Sequence, residues 1–203
     1  MKSKTTRAPD ETRRKILEAA FLEFYRNGFQ GGSLNQIVEA AGTTKGALFH
    51  HFNGKQELGY AVVEEILAPL LAQRWLAPLA DSKDPIADIK RTFRQFTKED
   101  TGTGNFVQGC PLNNLAQEMS PLDEGFRKRI DQLYAMWRTR YAEALAAGIA
   151  AGTVRKDVAP RKVASLLVAS QMGIWGSGKS SQDNDLMIEA CEALCGYLEG
   201  LRG

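Results

Sequence analysis

The strongest constraint on the fold lies between Ser33 and Glu57, SLNQIVEAAGTTKGALFHHFNGKQE, where two short helical patterns flank a single glycine. Ser33 with Gln36 matches a capping box, in which the serine hydroxyl accepts from the third helical N–H and the glutamine reaches back to the cap. From there Leu34, Ile37, Val38 and Ala41 recur on one helical face. Gly42 can adopt the left-handed conformation that ends a helix. Thr43 can cap a second helix with Ala47 and Leu48 inward, leaving Thr44, Lys45, Gly46, Phe49 and His50 mostly outward. Asn53 with Gln56 suggests a further start, with Gly54 and Lys55 in its opening turn.

Two short helices about a glycine turn make a helix-turn-helix, whose second helix can enter a DNA major groove with its N-terminal residues against base edges. The residue types suit that task. The hydroxyls of Thr43 and Thr44, the cation of Lys45 and the small Gly46 and Ala47 permit close approach, base-edge hydrogen bonds and contact with a thymine methyl. Lys55, in the first turn of a helix with free N–H groups, reads as a phosphate contact. The candidate DNA-facing set is Ser33, Thr43, Thr44, Lys45, Gly46, Ala47, Phe49, His50, His51 and Lys55.

The run Gly42 to Leu58, GTTKGALFHHFNGKQEL, closely resembles the TetR/AcrR family of bacterial one-component transcriptional regulators. The preceding TRRKILEAAFLEFYRNGFQGGSLNQIVEAA resembles that family's first two helices, so the match covers the first quarter of the chain. The family usually carries Tyr where this chain has Phe49, so one phosphate-directed hydroxyl is missing. The resemblance implies a homodimer that binds a palindromic double-stranded DNA operator through paired N-terminal domains. It also implies that a small-molecule effector in the C-terminal domains releases the DNA.

Charge distribution agrees with a DNA-reading head. Residues 1–56 hold nine Lys/Arg against five Asp/Glu, in a chain whose net charge is only +2. No apolar run reaches the roughly 18 to 20 residues needed to cross a bilayer, and the polar opening lacks a signal-peptide core. A cytoplasmic protein without membrane contact is expected. His50 and His51 are the only histidines, and phosphate loops, nucleophile elbows and metal-ligand spacings are absent. An enzyme, a cofactor and a metal site are therefore not expected.

Taken in order, residues 1–9 read as a flexible arm whose Lys2, Lys4 and Arg7 can touch DNA. Residues 10–56 form the helix-turn-helix domain, opened by a helix with Ile16, Leu17, Ala20, Phe21, Phe24 and Tyr25 on one stripe, Gly28 as its stop, and Arg13, Arg14 and Lys15 near its start, where they can flank the duplex or, for at least one of them, form a solvated charged face. Residues 57–203 form an effector-binding and dimerisation domain. Its first helix, a lever between the domains, is expected to kink near Pro69 or break before Pro78. Helices follow from Asp84-Pro85 to Lys98, from Gly109-Cys110-Pro111 onward, from about Leu122 to Ala151 with Ser120-Pro121 opening it, from Pro160 through Gly173, and across Leu186 to Leu198. The fold class is all-α with about nine helices, a three-helix head and a helical bundle.

Small and apolar residues on the last two helices (Ala164, Ala169, Gly173, Gly176, Ala190, Cys191, Ala193, Leu194, Cys195, Leu201) read as a dimer face, in keeping with the four-helix bundle the resemblance implies. Trp137, Tyr141, Met172 and Trp175 are the candidate lining of an effector pocket. Cys110 reads either as a buried small hydrophobe or as a sensor, since it stands at a helix start, where the dipole lowers a thiol's pKa. Its segment GCPLNNLAQE resembles a branch of the family that answers quinones, aldehydes and other electrophiles or oxidants through a cysteine here, with Lys179 as a cationic neighbour. Cys191 and Cys195, with no nearby histidine, read as packing residues. The alternative function is a helical ligand- or partner-binding module without a DNA role.

Overall fold

The computed structural model describes the backbone of residues 7–203, with side chains from residue 11 onward. Lys2 and Lys4 of the expected arm, and the side chain of Arg7, lie outside the described residues. Helix α1 spans Arg7–Gly31, so residues 7–9 are helical rather than part of an arm. Pro9 is compatible with this because a first-turn N–H has no intrahelical acceptor to lose. The helix is interrupted where the sequence places its stop, at Gly28, which has φ 74°.

Nine helices and no strands are present among the described residues. They are α1, α2 (Leu34–Ala40), α3 (Lys45–His51), α4 beginning at Lys55–Val62, α5 (Pro85–Thr103), α6 (Pro111–Met119), α7 (Glu124–Ala151), α8 (Pro160–Ser181) and α9 (Asn184–Glu199). Beyond Val62, α4 continues through two π turns, Val63–Leu67 and Ala72–Leu76, to a 3₁₀ turn at Ala77–Leu79. Widened turns thus stand on both sides of Pro69, where the kink is expected, and Pro78 lies in the closing 3₁₀ turn. Ala68 N–H bonds to Val63 five residues back, which adjusts the ladder just before the proline that cannot donate.

Several starts and stops differ by a turn from the sequence reading. α5 runs on to Thr103 because Gly104, at φ 72°, is the first residue to leave the helix. α7 is capped by Asp123, whose carboxylate accepts from Phe126 N–H at 2.8 Å, so Ser120-Pro121 lies outside it. α8 continues to Ser181 and ends on left-handed Gln182. Asp84 caps α5 as expected, accepting from Ala87 N–H at 3.0 Å.

The chain forms two compact units. The first holds residues up to Pro69 and also 114–130, so the 10–56 head has a later segment built into it. Its core joins Ile16, Leu17, Ala20 and Phe24 of α1 to Ile37, Leu48, Phe52 and Leu58, all buried. Each of the Ile, Leu and Phe side chains contributes about 1.5–3 kcal/mol by leaving water. Residues 114–130 add Phe126, whose ring lies 4.7 Å from Phe29 and 4.9 Å from Tyr60. Gly59 makes this approach possible, since a Cβ there would lie 2.5 Å from the Phe29 ring and 2.6 Å from that of Phe126.

The second unit comprises residues 70–113 and 131–203. Trp75 occupies its centre, with the rings of Phe93, Phe96, Trp137 and Trp175 at 4.9–5.7 Å. On α8 and α9 the residues expected at a dimer face divide. Ala164, Cys191, Leu194, Cys195 and Leu201 are buried within the protomer, where α9 packs against both α5 and α8. Ala169, Gly173 and Ala193 are exposed beside exposed Leu166, Leu186, Ile188 and Tyr197.

Candidate nucleic-acid interface

The turn between α2 and α3 is fixed by backbone chemistry. Gly42, at φ 61°, donates to Glu39 O at 3.0 Å, and Thr43 N–H reaches Val38 O at 2.9 Å, the paired bonds of a Schellman motif. That use of its N–H keeps Thr43 in the outgoing turn of α2. Thr44, not Thr43, is therefore the cap of α3, and its hydroxyl oxygen accepts from Ala47 N–H at 3.2 Å. The oxygen is engaged, but the residue is exposed and its hydroxyl remains able to donate.

The predicted capping box at Ser33 also takes another form. Ser33 Oγ accepts from Asn35 N–H, while the Ser33 N–H goes to the Glu23 carboxylate at 2.9 Å, so α1 supplies the group assigned to Gln36. At α4 the cap is Gly54, with φ 129° and no side-chain cap; Glu57 accepts from Asn53 N–H at 3.0 Å in place of the Asn53–Gln56 pair.

These local contacts leave α3 with Leu48 as its buried anchor and Thr44, Lys45, Gly46, Phe49 and His50 exposed. Thr43, Ala47 and His51 are half-buried at the edges. Nothing crowds Gly46, where a Cβ would come no nearer than 3.8 Å to Thr44 Oγ1, so its bareness leaves room outward rather than inward. Phe49 is 52% exposed, more than an aromatic ring needs to be in a head with a filled core. Lys55 is half-buried: its Nζ donates to Gln30 O at 2.9 Å and lies 5.1 Å from the Phe29 ring centroid. It braces the end of α1 and retains two further N–H donors. Arg13, Arg14 and Lys15, the other basic candidates, pair with Glu65, Glu18 and Glu11.

The segment 114–130 stiffens this head in ways the sequence did not reveal. Glu118 accepts from Phe29 N–H and Gln30 N–H at 2.7 Å each, satisfying backbone donors exposed by the break at Gly28. Asp123 accepts from Tyr60 Oη at 2.8 Å and from Gln56 Nε2 at 2.5 Å as well as capping α7. The Phe126 N–H, foremost, holds its carboxyl below the usual range. These partners lie 63 to 89 residues apart in sequence, beyond any periodic signal.

In the second unit the candidate pocket residues gather around Trp75, Arg74 and Asp100, none of which the sequence singled out. Trp137 and Tyr141 are 1% exposed and 6.1 Å apart, Trp175 Nε1 donates to Asp100 at 2.7 Å, and Tyr134 Oη meets half-buried Met172 Sδ at 3.3 Å. Arg74 lies 4.0 Å from the Phe96 centroid and 3.3 Å from Asp100. Among the buried polar atoms of this unit, Arg74 Nε and Gln171 Oε1 have no hydrogen-bond partner, and Trp137 Nε1 and Tyr141 Oη, neighbours of one another, have none of regular geometry.

Cys110 precedes α6, where N–H groups of Leu112 and Asn113 favour a thiolate. Burial outweighs them and raises the thiol above its ordinary value, the reverse of the dipole expectation. Arg74 and Asp100 are the charges acting on it, with opposite sign. Lys179 is exposed in the last turn of α8.

No helix among the described residues is long and apolar enough to cross a membrane. Residues 16–62 match the family model for bacterial regulatory proteins of the tetR family, and residues 71–194 match that for the tetracyclin repressor-like C-terminal domain. A transcriptional repressor, DhaR of Mycobacterium sp. (strain GP1), is 27% identical over 163 residues, 79% of each chain. An uncharacterized HTH-type transcriptional regulator from the lacX 3′ region of Lactococcus lactis subsp. lactis is 32% identical over 136 residues, 67% of this chain and 69% of the relative. The crystal structure of a TetR transcriptional regulator from Chloroflexus aurantiacus J-10-FL superposes with a TM-score of 0.86 at 25% identity, covering 97% of this chain and 98% of that one. With both parts of the chain matched and a helix-turn-helix exposing its second helix, the protein belongs to the TetR family of DNA-binding transcriptional regulators, which are not enzymes.

Proposed function

We propose that this regulator is a repressor that binds a palindromic operator as a homodimer and leaves it when a small molecule enters the second unit. The carrying observation is the exposed N-terminal half of α3, where Thr44, Lys45 and Gly46 stand clear of a braced head. Thr43, Ala47, Phe49, His50 and His51 complete the groove-facing side, and Ser33 and Lys55 meet the flanking phosphates. The repressor named among the relatives supports this sign of regulation. Exposed apolar and small residues on α8 and α9 support self-association there.

Trp137, Tyr141, Met172 and Trp175 are the effector contacts in this reading. The buried Trp137 Nε1 and Tyr141 Oη, which have no hydrogen bond of regular geometry, support a ligand that supplies one. Cys110, with its raised thiol pKa, and Lys179 belong to this site in the same reading, the thiol as a non-covalent wall. Retention of the full inducer response by Cys110→Ser is the expected result; its loss would favour covalent sensing.

The test is binding of the purified protein to its own upstream region across a salt series, beside Lys45→Ala. Binding that weakens with salt and falls with the variant is expected. A folded protein that ignores this DNA at low salt would favour a binding module without a DNA role.

A further inference from the structure

Two thiols outside both the reading head and the aromatic core share one face of α9. Cys191 and Cys195 are one helical turn apart, each 1% exposed, and are hydrogen-bonding neighbours. The Thr97 hydroxyl of α5 lies beside the Cys191 sulfur, is buried, and has no hydrogen-bond partner of regular geometry. Cys195 Sγ is 4.0 Å from the Lys90 carbonyl oxygen. Arg94, held by Glu192 at 2.7 Å, acts on both sulfurs.

This spacing suits a bridging atom better than a direct bond. Side chains four apart on a helix have Cβ atoms about 5–6 Å apart, whereas a disulfide requires about 3.5–4.5 Å. Oxidation would have to unwind α9. A metal ion with M–S near 2.3 Å spans up to about 4.6 Å between two sulfurs and leaves the helix intact. Thiolates select soft ions such as Cu(I) and Zn(II), and a structural zinc site asks for four strong ligands. Here no cluster of three or more His, Cys, Asp or Glu exists among the described residues, so the donor set stops at two sulfurs.

We propose that Cys191 and Cys195 form a two-coordinate thiolate site for a soft monovalent d¹⁰ cation of the copper(I) class. Binding joins one Cu⁺ to two thiols through two Cu–S bonds and releases two protons, leaving a bis-thiolate complex of charge −1 with no change of oxidation state. The Thr97 hydroxyl donates to the Cys191 thiolate, and Arg94 attracts the complex while its partner Glu192 opposes it, so the site keeps its charge of −1 beside a neutral ion pair. The sequence reading of these cysteines as packing overlooked a neighbour, Thr97, that only the α5–α9 contact supplies.

The probe is copper(I), delivered without oxygen as its coloured bathocuproine disulfonate complex to the dimer-competent full chain carrying Cys110→Ser, which removes the third thiol. Withdrawal of one copper per chain is expected. Cys191→Ser and Cys195→Ser should each weaken it by about 100-fold or more, the gain that a second tethered ligand confers. Thr97→Val should weaken it by roughly 10-fold, as loss of a supporting hydrogen bond does. Equal affinity in either serine variant would mean capture by a single thiol and would overturn the site, as would failure to compete for copper. Copper-edge X-ray absorption on the parent chain decides the matter independently of any variant's folding: two sulfurs support the site, and one, or three or more, overturn it.

Discussion

Thr44 holds the start of α3, and its share of the stability is measurable. As the cap of α3 it satisfies Ala47 N–H, and a Thr-to-Ala change at a helix cap costs about 1 kcal/mol. Thr44→Ala should lower the urea midpoint accordingly with an unchanged slope, while Thr43→Ala, whose backbone N–H and not its side chain holds the turn, should leave stability within about 0.5 kcal/mol. An equal loss in both variants would show that the cap is shared. The adjacent threonines explain why this residue was misread. Both types cap well, and the choice depends on whether the Schellman turn consumes one residue or two after Gly42. Ser33 teaches the same lesson: its role as a cap was legible, but its N–H is taken by Glu23, which α1 brings from ten residues back.

At the scale of elements, the head is a three-helix unit completed by a segment the sequence would not assign to it. Glu118 closes the break in α1 by accepting two backbone N–H groups, so Glu118→Ala leaves two donors without a partner at the joint that carries Phe29 and Gln30. Hydrogen bonds to a charged group contribute about 1.5–3 kcal/mol, and a loss of about 2 kcal/mol in chemical denaturation is expected for the variant. Loss near zero would mean that water replaces the carboxylate at no cost. Asp123 adds a pH signature. Its carboxyl pKa is lowered in the folded chain, first by Phe126 N–H and then by Tyr60 and Gln56, so its contribution is present above the unfolded value and disappears as pH falls through the folded one. The stability difference between the wild type and Asp123→Asn should stay constant from neutral pH to about pH 4 and shrink below it. A difference that grows on acidification would contradict the assignment. Helix starts with partners three residues away, such as Asp84 with Ala87, could be read directly, whereas Tyr60 with Asp123 could not, because no local pattern couples positions 63 residues apart.

Over the whole molecule, charge rather than shape decides how firmly the head holds DNA. The basic excess of the first 56 residues was plain in the sequence, but many of its members are already committed: Arg13, Arg14 and Lys15 each face a carboxylate, and Lys55 holds the end of α1. Composition counts charges without saying which are spent within the fold, and this is where the sequence reading of the interface reached its limit. Lys55 makes the difference measurable. If its remaining donors meet a phosphate, Lys55→Ala removes one contact per protomer, and the proposed homodimer would lose two. The logarithmic salt dependence changes by about 0.9 for each phosphate neutralised, so the magnitude of the slope should fall by about 1.8 in the variant. If Lys55 serves only as a brace for Gln30, affinity falls through a loosened head while the slope stays that of the wild type. Fluorescence anisotropy with a labelled operator over a range of salt measures both quantities in one series, and the slope, not the affinity, separates a lysine that touches DNA from one that shapes the protein that does.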